Sequence, residues 1–396
     1  MNKCNSPLHA IETGQWFKLI CGASFQHLPA VRNLALAYTL AGADCIDVAA
    51  DPAVIQATQV ALRVAAQLRD PVPGQNGAGQ AQPWLMVSLN DGVDPHFRKA
   101  EFDPNLCPVD CPRPCETVCP TAAIAPSTAG VIDALCYGCG RCLSVCPSQL
   151  IAARSYVSAP EVVVPQLVAL GIDAVEIHTQ VGNLDGFKRV WQVLRPWCDH
   201  GSHPHGSHPH GSHPHGSHPH GSHPHIKLLA ISCPDHPDLL PYLRSLADLL
   251  DPLPCALLWQ TDGRPMSGDI GPGTTHASIK LAAKVLGANL PGQVQLAGGT
   301  NAQTVPKLAE RGLLAPGSMF VAGVGYGGYA RQLLAPVLES LARRSSSRLE
   351  DHPDLLWEAV RLAETLVQPL KAGQSQSRRD SHPSDGLRIE PSVRCF

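Results

Sequence analysis

Four cysteines between Cys136 and Cys146 have a spacing that could hold an inorganic cluster. They follow the pattern C-x2-C-x2-C-x3-C-P in the stretch CYGCGRCLSVCP, which ends at Pro147. Cysteine thiolates are the usual ligands of iron–sulfur clusters, and this spacing is typical of bacterial proteins that carry cubane 4Fe-4S clusters. This segment, called the second arm, therefore predicts an electron-transfer centre within the chain.

A first arm of four cysteines precedes it, in the stretch CPVDCPRPCETVCP that ends at Pro120. Three residues separate each pair of its cysteines, which departs from the ferredoxin spacing. Its end, VCPTAAI, nevertheless repeats the end of the second arm, VCPSQLI, and this similarity indicates an internal duplication. Since Pro108, Pro112 and Pro114 disfavour a helix, we expect the first arm to be an irregular loop.

The two arms together predict two 4Fe-4S clusters. In two-cluster ferredoxins the cysteine before the proline ligates the neighbouring cluster, because it lies beyond reach of the cube held by the other three. Four cysteines can also form a zinc site, but eight cysteines in two proline-terminated arms favour iron. The predicted ligands are Cys107, Cys111, Cys115 and Cys146 for cluster 1, and Cys119, Cys136, Cys139 and Cys142 for cluster 2.

Glycines near the C-terminus form a weaker candidate site. The last two predicted strands end in LAGGTN and GVGYGG, and the loops after these strands of (βα)8 barrels often bind phosphate through backbone N–H groups. Alternatively, such turns need glycine only for positive φ angles. The candidate phosphate or flavin (FMN) contacts are Gly298, Gly299, Gly325 and Gly327. Asn90, Gln180, Gln260 and Asp262 could line the same pocket, and no acid–base pair identifies a catalytic residue.

Five copies of GSHPH occupy residues 201–225. Their imidazoles could bind nickel, copper or zinc. A metal site normally has a few ligands in fixed positions, so the perfect repetition favours a replicated low-complexity insert.

Composition limits the classes of function. The chain has 396 residues, of which 44% are hydrophobic and 16% charged, and its net charge of -3 gives no basic surface for nucleic acid. No apolar run is long enough for a membrane span, and the first residues lack the pattern of a secretory signal. Fifteen cysteines without an export signal indicate metal ligation in a reducing compartment, so we expect a cytoplasmic protein.

Predicted strands and helices alternate along almost the whole chain. Near-continuous apolar strands separated by helices predict a parallel sheet built from βαβ units. A count of eight favours a closed TIM-like (βα)8 barrel over an open doubly wound sheet. The predicted strands span residues 17–23, 45–50, 84–90, 174–180, 227–233, 255–261, 294–300 and 319–325.

The cysteine arms fall between the third predicted strand and its following helix. Loops after the strands lie on the face of a barrel where catalysis occurs, and loops before the strands lie on the opposite face. The expected division is barrel in 1–94 and 159–350, a bacterial dicluster ferredoxin-like module in 95–158 inserted after strand 3, and the GSHPH insert in 201–225. An extra C-terminal helix is expected in 351–372, and a disordered tail in 373–396.

The stretch FKLICGASFQHLPAVRNLALAYTLAGADCIDVAADPAVI, residues 17–55, resembles the light-dependent period modulator (LdpA) family of cyanobacteria. The resemblance continues through CPRPCETVCPTAAI and CYGCGRCLSVCP and, more loosely, to about residue 370. It implies bound iron–sulfur clusters, a role in relaying photosynthetic redox state to the circadian clock, and clock input proteins such as the input kinase as partners. The resemblance does not cover the GSHPH insert, and it assigns no catalytic residues.

These observations lead to the expectation of an iron–sulfur redox sensor that acts on the circadian clock without catalysing a reaction. The alternative is an iron–sulfur flavoenzyme, in which the clusters pass electrons from an external donor to FMN on the barrel. A sensor needs no substrate pocket, whereas the enzyme needs a bound flavin and turnover.

Overall fold

The computed structural model describes residues 6–69, 81–126, 129–157, 159–198, 225–264, 271–314 and 319–377. Eight parallel strands within these ranges close into a barrel, which confirms the predicted fold. In order around the barrel, they are β1 (Trp16–Ile20), β12 (Gly323–Tyr326), β11 (Gln293–Ala297), β10 (Ala256–Asp262), β9 (Leu228–Pro234), β8 (Ala174–His178), β3 (Trp84–Asn90) and β2 (Cys45–Ala49).

Helices surround the barrel and bury their apolar faces against its outer surface. Side chains alternate along each strand, so one set packs under the helices while the other points into the barrel. The helices outside the cysteine region are α1 (Pro7–Glu12), α2 (Leu28–Ala41), α3 (Pro52–Arg69), α6 (Pro160–Ala169), α7 (Leu184–Cys198), α8 (Leu239–Leu250), α9 (Thr275–Leu286), α10 (Thr304–Glu310), α11 (Gly328–Leu341) and α12 (Pro353–Ser377).

The barrel interior changes from apolar to polar along its axis. At the amino end of the strands, Trp16, Met86 and Leu258 form part of a separate apolar cluster that α1 covers through Ala10 and Ile11. Two residues beyond these three along their strands, the buried side chains are the polar or charged Lys18, Ser88 and Gln260. The amino end of the barrel is therefore filled by apolar packing, whereas polar groups lie toward the carboxyl end.

The cysteine arms lie between β3 and α6, as predicted. Within this region β4 (Arg98–Glu101) pairs with β7 (Ala152–Ser155) in an antiparallel stem, and β5 (Ile124–Ala125) pairs with β6 (Gly130–Val131). Two short helices, α4 (Pro114–Thr117) and α5 (Arg141–Val145), carry one cysteine each. The expectation of a wholly irregular first arm was wrong, because Pro114 occupies the first position of α4, where the missing N–H costs no hydrogen bond.

The last helix also differs from the prediction. α12 continues to Ser377, five residues beyond the expected end at 372. The apolar side chains along one face of this helix are buried, from Leu355 and Leu356 through Ala363 to Val367 and Leu370. The rest of the predicted tail and the GSHPH copies up to residue 224 lie outside the described residues.

Within the described parts of the chain, no helix combines the length and the apolar character needed to cross a membrane.

Candidate iron–sulfur centre and barrel mouth

The two arms share a backbone geometry that reflects their duplicated sequence. Arg113 and Gly140 precede the short helices α4 and α5, and both have left-handed φ angles, 51° and 79°. Ala122 and Gln149 follow the terminal Cys-Pro pairs by the same distance, and both have φ of 50°. The different cysteine spacings therefore lead to equivalent turns around equivalent cysteines.

The structure brings the cysteines into two groups that mix the arms. We call Cys107, Cys111, Cys115 and Cys146 the first cysteine group, and Cys119, Cys136, Cys139 and Cys142 the second cysteine group. Burial, together with the neighbouring thiols of Cys139, Cys136 and Cys119, raises the pKa of Cys142 to about 12.

The first cysteine group also combines cysteines of both arms. Burial raises the pKa of the Cys115 thiol, to which Cys146 and Cys107 contribute as neighbours. Desolvation raises the pKa of Cys107, and the thiols nearest to it include Cys111 and Cys146. Each group therefore contains three cysteines of one arm and the last cysteine of the other.

The surroundings of the cysteines suit a bound cluster. Cys115, Cys136 and Cys142 are buried in an apolar cluster of this region, and Cys119 and Cys146 pack against it. The backbone N–H of Ala100 donates to the Cys136 sulfur at 3.3 Å, and that of Ala123 donates to the Cys119 sulfur at 3.2 Å. Such hydrogen bonds and exclusion of water are the features that set the potential of an iron–sulfur cluster.

A separate small cavity contacts all four members of the second cysteine group. Gly138 lies beside it with φ of 75°, and a side-chain β carbon there would approach the Arg98 carbonyl oxygen to 2.2 Å. The Arg98 Nε–H donates to the Gly138 carbonyl at 3.0 Å. The second-arm loop is therefore fitted to the stem, with glycine required at this position.

The cysteine region covers the carboxyl end of the barrel. Tyr137, between two cysteines of the second arm, lies under the Arg331 guanidinium at 4.6 Å from the ring centre. Arg331 also donates to the carbonyls of Ile20 and Cys21 at the end of β1, both at 2.9 Å. This cation–π contact and the two hydrogen bonds fix the second arm against the barrel.

A cavity of about 1370 Å³, called the mouth cavity, lies between the two cysteine arms and the barrel. Cys119 and Cys139 of the second cysteine group line one wall, and Glu176, His178 and Gln260 line the barrel side. Arginine side chains contribute positive charge to its lining, from Arg98, Arg141, Arg264 and Arg331.

A network of buried charges lies below the mouth cavity. The Lys18 ammonium group, with no exposed surface, forms an ion pair with Glu176, lies 3.1 Å from the Asp47 carboxylate and donates to Gln260 at 3.0 Å. Gln260 donates in turn to Glu176 at 2.6 Å. These residues come from strands that are far apart in the chain, and their side chains meet because all point into the barrel.

The pKa values of this network are displaced in opposite directions. Burial opposes the charge on Lys18, but the carboxylates of Asp47 and Glu176 raise its pKa above the ordinary value. Burial also opposes ionisation of Glu176, whereas Lys18 and His178 together lower its pKa to about 2. Burial raises the pKa of Asp47 to about 6, although Lys18 is close, and burial likewise raises the pKa of Asp262. Acidic groups with separated pKa values can hold and transfer protons, as they do in many active sites.

Only some of the barrel residues that the sequence predicted line the mouth cavity. Gln260 and Asp262 line the mouth cavity, as do Gly298, Gly299 and Gly327. Gly325 instead lies within β12, where a β carbon would stand 3.0 Å from Gln295 and Ile20. Asn90 donates to the carbonyls of Gly92 and Tyr156, and Gln180 donates to the Val93 carbonyl, so both bind the loop that leads into the stem.

Sequence reasoning missed Lys18, Asp47, Glu176 and His178, since no acid–base pair identified itself from the sequence. A signal was present, because each of the strands WFKLI, CIDVA and AVEIH contains charged or titratable residues among apolar ones. Such residues are rarely buried unless they are paired or functional.

Comparison with known proteins gives two family matches. The model of the "LdpA Fe-S cluster-binding domain" matches residues 107–157, which include all eight cysteines of the arms. The model of the "Light dependent period A C-terminal domain" matches residues 166–203 and 218–369. The protein "Light dependent period A" of Synechococcus elongatus is 51% identical over 366 residues, which cover 92% of this chain and 94% of that protein.

The comparison with solved structures gives matches at low sequence identity. GGGPS from Thermoplasma volcanium has a TM-score of 0.38 at 8% identity, covering 94% of this chain and 98% of that chain. The (S)-3-O-geranylgeranylglyceryl phosphate synthase from Thermoplasma acidophilum has a TM-score of 0.39 at 11% identity, covering 94% of this chain and 99% of that chain.

Proposed function

Because this chain belongs to the light dependent period A (LdpA) family, we propose that it is a cytoplasmic iron–sulfur redox sensor that relays photosynthetic redox state to the circadian clock. The two cysteine groups would each hold one 4Fe-4S cluster, with the last cysteine of each arm ligating the cluster of the other. The partners proposed from the family resemblance are clock input proteins, among them the input kinase.

The observation that carries this proposal is the position of the two groups relative to solvent and barrel. In the first arm, Val109 is 97% exposed between Cys107 and Cys111, which are themselves half-buried. Cys119 and Cys139 of the second cysteine group instead line the mouth cavity. Electrons could therefore enter at the exposed first group and alter the charge beside the barrel mouth.

The size of the electrostatic signal supports a sensor. One electron changes the charge of a cluster by one unit. At ~8 Å and an effective dielectric constant near 20, this unit charge contributes about 2 kcal/mol. That free energy shifts an equilibrium between two nearly equal states roughly thirtyfold, so a loop or a partner at the barrel mouth could respond to reduction.

The test compares binding of the clock input kinase to the oxidised and the reduced protein under anaerobic conditions. We expect the dissociation constants to differ by up to roughly thirtyfold, in proportion to the charge effect above. A Cys139→Ser variant, which lacks one proposed ligand of the second cluster, should bind with the same affinity in both states. Equal affinities for the unmodified protein would contradict the sensor proposal.

The second candidate is an iron–sulfur oxidoreductase that passes electrons to FMN on the barrel. It is favoured by the mouth cavity, whose lining combines two cysteines of the second cysteine group, arginines that suit a phosphate, and buried acidic side chains. The positive φ angles of Gly298 (64°) and Gly299 (97°) are explained by the turn alone, so these glycines add no support for a phosphate site. Extracted flavin, with electron transfer to a small acceptor, would support this candidate.

A further inference from the structure

Three potential metal ligands meet at the rim of the barrel. His178 ends β8, and Asp94 and His96 lie in the loop between β3 and β4. The nearest ligand atoms of the three side chains all lie within 4.8 Å of one another. The Asp94 Oδ1 atom is 2.8 Å from His96 Nδ1 and 3.8 Å from His178 Nδ1, and the two imidazole centres are 4.8 Å apart.

The orientation of the His178 ring is fixed by a carboxylate at its Nε2 atom. Its Nε2 atom lies 3.0 Å from Glu176 Oε1, which leaves Nδ1 directed toward Asp94. Glu176 is itself held by Lys18 and Gln260 in the buried network. A carboxylate behind an imidazole is the usual support of a metal-binding histidine, because it fixes the ring and strengthens the ligand.

Burial and access also favour a bound cation. Asp94 and His178 are each 6% exposed, so a positive charge between them would be poorly screened by water. The carboxylates of Asp94 and Glu176 supply negative charge at this point. His96 and His178 also line the mouth cavity, so one side of the group remains open to a small molecule.

We propose that Asp94, His96 and His178 bind one divalent first-row transition-metal ion, with an open coordination position facing the mouth cavity. Two imidazoles and one carboxylate form a ligand set that suits zinc or ferrous iron, and three protein ligands with an open position are typical of reactive sites. The ion would join the loop that leads into the iron–sulfur region to the end of β8. It would be distinct from the iron of the clusters.

The same contacts could also serve a hydrogen-bonded cluster without metal, since the backbone N–H and the ring of His96 both lie 2.8 Å from Asp94 Oδ1. The test therefore measures metal directly. The full-length protein, purified anaerobically with its clusters, is treated with a mild chelator, titrated with Zn²⁺ and desalted, and its bound zinc is then counted.

Four variants make the count specific. Asp94→Asn and His178→Gln each remove one ligand, and His96→Asn removes the half-buried ligand without touching the Glu176 network. His276→Gln, at an exposed histidine on α9, is the matched control. The histidines of the GSHPH copies are present in every protein, so the zinc they bind cancels in the comparison.

We expect the unmodified protein and His276→Gln to retain one more zinc per chain than the three ligand variants. Unchanged iron and sulfide contents would show that the variants are folded, and His96→Asn decides the question if the buried variants lose their clusters. Equal zinc contents in the unmodified protein and His96→Asn would overturn the proposal and leave a hydrogen-bonded cluster only.

Discussion

At the scale of single residues, Lys18 shows that the barrel is more than a support for the cysteine arms. An ammonium group without exposed surface would be costly unless paired, and two carboxylates and an amide surround it. Replacing a buried ion pair with apolar residues is often neutral or stabilising, so stability alone does not explain such a network. Because the network lies below the mouth cavity, we expect it to act on a molecule bound in that cavity.

The cysteine pairing gives a prediction at the same scale. Cys146→Ser should disturb the cluster of Cys107, Cys111 and Cys115, because the fourth ligand comes from the other arm. Cys119→Ser should have the mirror effect on the second cysteine group. Electron paramagnetic resonance of the reduced variants, with iron and sulfide analysis, would distinguish the two clusters. If each serine variant instead disturbed the cluster of its own arm, the proposed cross-ligation would be wrong.

At the scale of elements, the arms show where backbone conformation matters. Left-handed φ angles cost roughly 1–2 kcal/mol for residues with a side chain, yet Arg113, Ala122 and Gln149 all adopt them. Strain of this kind persists where the surrounding structure requires it, commonly at functional sites. In the arms, the strained residues flank the short helices and the terminal Cys-Pro pairs, so they direct the cysteines inward.

Gly138 allows the fit between an arm and the stem to be tested. Gly138→Ala would place a β carbon 2.2 Å from the Arg98 carbonyl oxygen, so we expect the second cluster to be lost. The control is Gly171→Ala, at a glycine with nearly the same φ angle, 78°, and no atom within 4 Å of the added carbon. The control should lose only about 1 kcal/mol of stability, measured by chemical denaturation, and keep all its iron. Retention of both clusters in Gly138→Ala would mean that the loop can move away from the stem.

At the scale of the whole molecule, the iron–sulfur region and the GSHPH copies are attached to opposite ends of the barrel. The stem β4–β7 follows β3 at the carboxyl end, whereas the histidine segment joins α7 to β9 at the amino end. The residues on either side of that segment meet, since the Ile226 N–H donates to the Trp197 carbonyl at 2.8 Å. The barrel therefore closes at this point independently of the length of the intervening segment.

Deletion of residues 201–225 should accordingly leave the iron and sulfide contents and both cluster potentials unchanged. Retention on a nickel column should fall strongly, because ten of the eleven histidines in residues 200–225 belong to the GSHPH copies. Potentials can be measured by redox titration of the unmodified and shortened proteins. A clear shift in either midpoint would contradict the separation of the two ends.

The sequence by itself determined the eight barrel strands, the helices between them and the presence of two cysteine arms. These features are local: apolar β-branched runs form strands that are buried on both faces, such as Cys45–Ala49, and cysteine spacing within a few residues decides which sulfurs can converge. The place of the arms after β3 was also predictable, because the order of strands and loops is read directly along the chain. The helical start at Pro114 was missed, since proline is compatible with a first helical turn.

Only the tertiary structure decided which distant side chains meet in the barrel. Lys18 and Glu176 are separated by 158 residues, and their contact depends on closure of all eight strands and on the register between them. A shift of one residue would turn an inward side chain outward, and no local pattern specifies that register. Asp94 and His96 likewise meet His178 only because the loop after β3 folds back over the end of β8. The charged network and the proposed metal site are therefore properties of the closed barrel, because they require strand ends that the sequence keeps far apart.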